Sequence, residues 1–105
     1  MIIKKYSILV ITPIKHIKNL NFKYFKKIKI LENPTYKEVY NIINNFDVLF
    51  TNPNMSKVFI DKNLINRGKK LKCISTASTG TNHIDKEYLK KSKIKLISLT
   101  KDYHI

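Results

Sequence analysis

The sequence predicts an α/β domain with a doubly wound parallel sheet of five strands. Three observations carry that prediction. Short apolar, β-branched runs recur five times along the chain. Segments with helical spacing stand between them. No internal repeat or low-complexity linker interrupts the alternation. At 105 residues the chain is one domain, and its 43% hydrophobic content suffices for a modest core.

The elements follow in order. Tyr6 to Thr12 is an apolar run ended by Pro13, and it reads as a buried, central strand. Ile14 to Lys26 places Ile14, Ile17, Leu20, Tyr24 and Phe25 near helical spacing, weakened by Asn19 and Asn21. Lys27 to Leu31 alternates as a short strand does, and Glu32-Asn33-Pro34 stops it. Thr35 is an N-cap, with Glu38 three residues on completing a capping box. Val39, Tyr40, Ile42, Ile43 and Phe46 then mark an amphipathic helix.

Asp47 to Thr51 is the third strand, and Asn52-Pro53-Asn54 is a turn. Ser56 is read as the cap of a helix carrying Val58, Phe59, Ile60, Leu64 and Ile65, closed by Gly68 as its C′ residue. Leu71 to Thr76 is the fourth strand. Asp85 caps a short helix to Ser92, with Glu87 in its positive first turn. Ile94 to Leu99 is the fifth strand. Five strands so alternated suit a flavodoxin-like order, 2-1-3-4-5, in which ligands bind beyond the carboxyl ends of the strands.

Between the fourth strand and the helix at Asp85 lies the loop Ser75 to Asn82, with Gly80, one of only two glycines. A strand, a glycine-containing loop and a helix start bring backbone N–H groups toward an anion. The alternative is an ordinary turn in which Gly80 merely allows the bend.

The net charge of +14 invites a nucleic-acid reading. Of 21 basic residues, however, only Arg67 is arginine, and forked contacts to phosphates and bases favour arginine. The lysines are scattered through every element. The chain also has 17 Ile and 11 Asn, the pattern of an AT-rich compositional drift. No specific nucleic-acid partner is expected.

The lone Cys73 excludes an intramolecular disulfide. In its strand-like run it reads as buried and inert, which fits a reducing, cytoplasmic setting. Two lysines follow Met1-Ile2-Ile3 at once, so no leader is expected, and no apolar run approaches the roughly 20 residues that span a bilayer.

His16, His83 and His104 lack metal-ligand spacing, and His83 reads as a surface residue. No carboxylate is positioned by sequence to orient His83 or His104 for acid–base work. A response-regulator receiver needs aspartates at the ends of strands one and three. Ile11-Thr12-Pro13 and Phe50-Thr51-Asn52 offer none. The loop after strand one is also too poor in Gly, Ser and Thr for a flavodoxin phosphate cradle.

Residues 47–99 resemble the D-isomer-specific 2-hydroxyacid dehydrogenases, the family that includes phosphoglycerate dehydrogenase. The resemblance rests on Val48-Leu49-Phe50 with the polar turn Thr51-Asn52-Pro53-Asn54, and on Arg67-Gly68-Lys69-Lys70-Leu71-Lys72-Cys73-Ile74. It continues in Ser78-Thr79-Gly80-Thr81-Asn82-His83-Ile84-Asp85 and in Lys93-Ile94-Lys95-Leu96-Ile97. The family's glycine before Ile94 is Lys93 here.

The resemblance implies an oxidoreductase that transfers hydride between NAD or NADP and the C2 of a small 2-hydroxy or 2-oxo acid. It makes residues 1–105 the substrate-binding domain, truncated before the Rossmann NAD-binding domain. Substrate-binding residues are then Ser78, Thr79, Gly80 and Thr81, whose amides hold the carboxylate, with Thr51, Asn52 and Asn54 in a turn that faces the substrate. Some members place Arg and Ser in that turn. Their absence here makes a phosphorylated substrate less supported.

The family's catalytic Arg, Glu and His fall beyond residue 105. With only Gly68 and Gly80, the chain has no G-x-G-x-x-G fingerprint. NAD is therefore expected of the parent enzyme, not of this chain alone, and a homodimer of the full-length parent only. The alternative is a stand-alone flavodoxin-like module that binds a small anion or a protein.

Overall fold

The structure is a computed structural model that describes residues 6–13, 25–52, 58–76 and 83–97. Five strands form one parallel sheet: β1 (Tyr6–Val10), β2 (Phe25–Ile30), β3 (Val48–Thr51), β4 (Cys73–Thr76) and β5 (Lys95–Ile97). Their spatial order is β2-β1-β3-β4-β5, as the alternation predicts. Three short helices are described: α1 (Tyr36–Ile42), extended by a 3-10 turn over Ile43–Asn45, α2 (Lys62–Arg67) and α3 (Lys86–Lys90).

The register sorts every strand residue onto one of two faces. Ile8 pairs with Ile28 and Val48, Val10 with Ile30 and Phe50, Leu9 with Leu49, and Leu49 with Ile74. One face thus carries Leu9, Ile11, Leu49 and Ile74. It packs against Val39 of α1, Leu64 and Ile65 of α2 and Leu89 of α3, forming the main core. The other face carries a smaller buried cluster, Ile8, Val10 and Phe50, with Phe25 and Val48 against it. Tyr6, Ile28, Ile30 and Ile97 lie on that second face, each 36–38% exposed, Tyr6 at the start of β1 and the three isoleucines on the edge strands β2 and β5.

At the amino edge Asp47 fastens three strands. Its Oδ2 accepts from the Ser7 N–H at 2.8 Å, and its own N–H donates to the Ser7 carbonyl at 2.9 Å. The Lys72 N–H donates to the Asp47 carbonyl at 2.7 Å. A carboxylate buried this deeply needs such donors, because leaving it unpaired is costly.

Two of the expected caps form as read. Thr35 Oγ1 accepts from the Glu38 N–H, and Glu38 Oε1 accepts from the Thr35 N–H at 2.8 Å, a complete capping box. Asp85 accepts from the Tyr88 N–H at 3.1 Å and starts α3. The Tyr36 hydroxyl donates to Asp61 at 2.6 Å, and burial and then that bond push the phenol up to about 12.

Three expectations need correction. The helix read through Lys26 does not reach that far, because Phe25 and Lys26 stand in β2; Ile14–Tyr24 lie outside the described residues. The helix read from Ser56 begins instead at Asp61, which accepts from the Leu64 N–H at 2.9 Å. Ile60 cannot be helical, since its N–H donates to the His83 carbonyl at 2.7 Å and its carbonyl accepts from Asp85. Ser56 itself is outside the described residues. Gly68 does end α2, but with φ −78°, so no left-handed conformation requires glycine. Space does: a Cβ there would lie 2.5 Å from Leu71 Cδ1 and 2.8 Å from its Cγ.

Candidate functional site

In this topology β1 and β3 run side by side, and the strand order reverses between them. The crevice at their carboxyl ends is where such sheets take ligands. Thr12, one residue past Ile11, and Thr51 stand at those ends, and Thr76 pairs with Thr51 at the end of β4. The Ile11 N–H still donates to the Phe50 carbonyl at 3.0 Å, so β1 and β3 stay coupled up to the edge.

Of the sequence-predicted site residues, Thr51 and Asn52 are described. Thr51 is fully buried, and its Oγ1 finds no hydrogen-bond partner among the described residues. Asn52, half-buried, follows it out of the strand. Asn54, Ser78, Thr79, Gly80 and Thr81 lie outside the described residues. Both attachments of the 77–82 stretch are described. One is Thr76, held in the β3–β4 ladder. The other is His83-Ile84-Asp85, held by the parallel bridge of Ile84 to Ile60 and by the N–H of Asp85 donating to Ile60 at 2.9 Å.

His83 is not the surface residue expected. Both ring nitrogens are enclosed and have no partner among the described residues, and burial lowers the ring's pKa below its ordinary 6.5. The imidazole is therefore neutral near pH 7. The sequence signal for this was the apolar pair Ile60 and Ile84, whose bridge draws the loop end onto the core. Cys73 is half-buried, and burial raises its pKa while Lys95 pulls the other way, which suits an inert thiol. His16 and His104 are outside the described residues. No group of three or more His, Cys, Asp or Glu among the described residues could hold a metal.

Sequence reasoning missed Thr12, a buried hydroxyl with no partner among the described residues. Its signal was a polar residue ending an apolar central strand immediately before proline.

Among the described residues none forms a cradle for a dinucleotide's pyrophosphate, which needs glycines between a strand and a helix: Gly68 closes a helix against Leu71, Thr12 and Pro13 follow β1, and Gly80 lies outside the described residues.

Comparison with known proteins gives the family. Residues 8–104 match the family described as D-isomer specific 2-hydroxyacid dehydrogenase, catalytic domain. No curated protein matches. Among solved structures, the chain resembles the PH0520 protein from Pyrococcus horikoshii OT3, with 23% identity and a TM-score of 0.79 over 92% of this chain and 28% of that one. It also resembles NAD+-bound 3-phosphoglycerate dehydrogenase of Entamoeba histolytica, with 25% identity and a TM-score of 0.73 over 89% of this chain and 32% of that one. NAD-dependent formate dehydrogenase from Staphylococcus aureus gives 19% identity and a TM-score of 0.70, over 90% and 33%. The chain thus spans about a third of the length of these proteins. By its sequence from residue 8 to residue 104 and by its sheet, the chain belongs to the D-isomer specific 2-hydroxyacid dehydrogenase family, in the part that forms the catalytic domain.

Proposed function

We propose that the chain is the substrate-binding portion of an NAD-dependent D-2-hydroxyacid dehydrogenase, an oxidoreductase acting on a CH–OH group, and that it is inactive alone. The observation that carries this is the family match over residues 8–104 on a sheet whose β3 and β4 ends stand side by side. In this reading the amides of Ser78 to Thr81 anchor the carboxylate of a small 2-hydroxy or 2-oxo acid, and the turn carrying Thr51, Asn52 and Asn54 faces the same substrate. Fixed N–H donors suit a carboxylate because charge-assisted bonds are strong and directional. Hydride transfer belongs to the parent enzyme's NAD domain.

Among the described residues, all three helices pack on the first face. Completion by a Rossmann domain in the same polypeptide, homodimerisation of that parent and a cytoplasmic location belong to this reading. No described helix is long and apolar enough to cross a membrane.

The test is a hydride-transfer assay. The purified 105-residue chain is expected to leave NADH unoxidised with pyruvate, glyoxylate or hydroxypyruvate. An expressed product extended by the coding sequence after residue 105 is expected to oxidise it. Turnover by the short chain alone overturns the reading. A stop codon with no dinucleotide-binding unit nearby favours a stand-alone anion-binding module.

A further inference from the structure

Five buried side-chain polar atoms have no hydrogen-bond partner among the described residues: Thr12 Oγ1, Asn44 Oδ1, Thr51 Oγ1 and both ring nitrogens of His83. Four of the five stand at the carboxyl edge or at the end of the loop that leaves it. Native folds leave few such atoms, and those they leave call for a physical reason.

Thr12 and Thr51 are the sharpest case. Both are 0% exposed. The register that pairs Val10 with Phe50 carries Ile11 to Thr51 and puts Thr12 one residue further along. They therefore stand on the two strand ends that flank the reversal of strand order. Pro13 follows Thr12 and has no N–H to offer its hydroxyl. Valine has the shape of threonine and would fill either position without desolvating a hydroxyl. Residues that keep the hydroxyl at both places need an oxygen to bond.

We infer that Thr12 and Thr51 are positioning residues that hold internal oxygen atoms at the β1–β3 switch point. The partner is an oxygen able both to donate and to accept, since a threonine hydroxyl does both. Internal water supplies one, and the hydroxyl of a ligand seated in the crevice supplies another. Such water is a structural component, bound by otherwise unsatisfied groups and costly to remove. The site stands on the two hydroxyls, whichever acid the cleft takes.

The test is equilibrium urea unfolding of Thr12→Val and Thr51→Val beside Thr12→Ser and Thr51→Ser. If each hydroxyl is bonded to an internal oxygen, each valine lowers the folded-to-unfolded ratio about fivefold. Each serine, which keeps the hydroxyl, gives back most of that loss. Valine variants as stable as the original or more stable overturn the inference, because an unbonded buried hydroxyl is improved by its removal.

D-lactate as probe then separates the two sources by thermal shift. Stabilisation lost in the valine variants shows that a bound ligand's hydroxyl takes the place of the water. Stabilisation equal in all variants, or absent from all, assigns the oxygen to water. The unfolding result stands even if the chain binds no 2-hydroxy acid, so it fails independently of the proposed function.

Discussion

Replacing Asp47 with alanine removes a side chain that ties β1 to the start of β3 at the amino edge of the sheet. The Ser7 N–H loses its acceptor at 2.8 Å while Ser7 remains 2% exposed, so water does not take over. The backbone bonds from Asp47 to Ser7 and from Lys72 to Asp47 survive, because they use main-chain atoms. The loss is therefore one hydrogen bond to a charged acceptor, about 2 kcal/mol. For a domain near 100 residues, each kcal/mol moves Tm by about 4–8 °C, so the expected fall is about 8–16 °C. Circular dichroism melts and urea unfolding of Asp47→Ala, with exposed Glu32→Ala as a control, measure it. Asp47→Asn keeps an acceptor oxygen and should cost less than half as much. Loss below about 0.5 kcal/mol in Asp47→Ala would show that Ser7 finds another acceptor, and the clasp would not be what orders β1 against β3.

Two further outcomes follow from the packing. Gly68→Ala should destabilise by about 1–3 kcal/mol, the usual cost of overpacking, and the penalty should largely vanish in a Leu71→Ala background, because the new Cβ collides with that side chain. Equal penalties in both backgrounds would put the cost elsewhere. For His83, burial holds the ring's pKa below its ordinary 6.5, so the unfolded chain binds the extra proton first as pH falls. Stability should then be fully present above about pH 6.5 and decline below it. His83→Asn should flatten that decline, as read from urea midpoints between about pH 7 and pH 5; an unchanged pH profile would contradict the burial.

Much of the fold was legible because its signals are local. The β-branched run before Pro13, the capping box at Thr35 and Glu38, and the cap at Asp85 each depend on residues within four positions of one another. What misled was non-local. Val58-Phe59-Ile60 is an apolar run that period alone cannot assign to helix or strand. The partner that decides it, Ile84, lies 24 residues away. Phe25 and Lys26 join β2 because Tyr6 of β1 pairs with Phe25 and Ser7 with Lys27, which leaves Lys26 in a register shift between them, and nothing in their own sequence announces that.

The strand end at Thr76 and the helix cap at Asp85, which flank the candidate loop, were legible in the sequence. The burial of Thr12 and Thr51 was not. A threonine at a strand end looks the same in sequence whether its hydroxyl meets solvent or is sealed in, and only the register places Thr12 and Thr51 on adjacent ends. His83 was misread for the same reason, since its burial comes from the bridge between Ile60 and Ile84.

The proposed function has the loop at Ser78–Thr81 anchor a carboxylate. An amide-resolved NMR titration of the 15N-labelled chain with D-lactate, and with D-lactamide as its uncharged counterpart, tests this. Saturable shifts are expected at the amides of Ser78 to Thr81 and at Asn52 with the acid, and none at those positions with the amide. Shifts spread over the lysine-bearing surface, or the same response to both compounds, would contradict it.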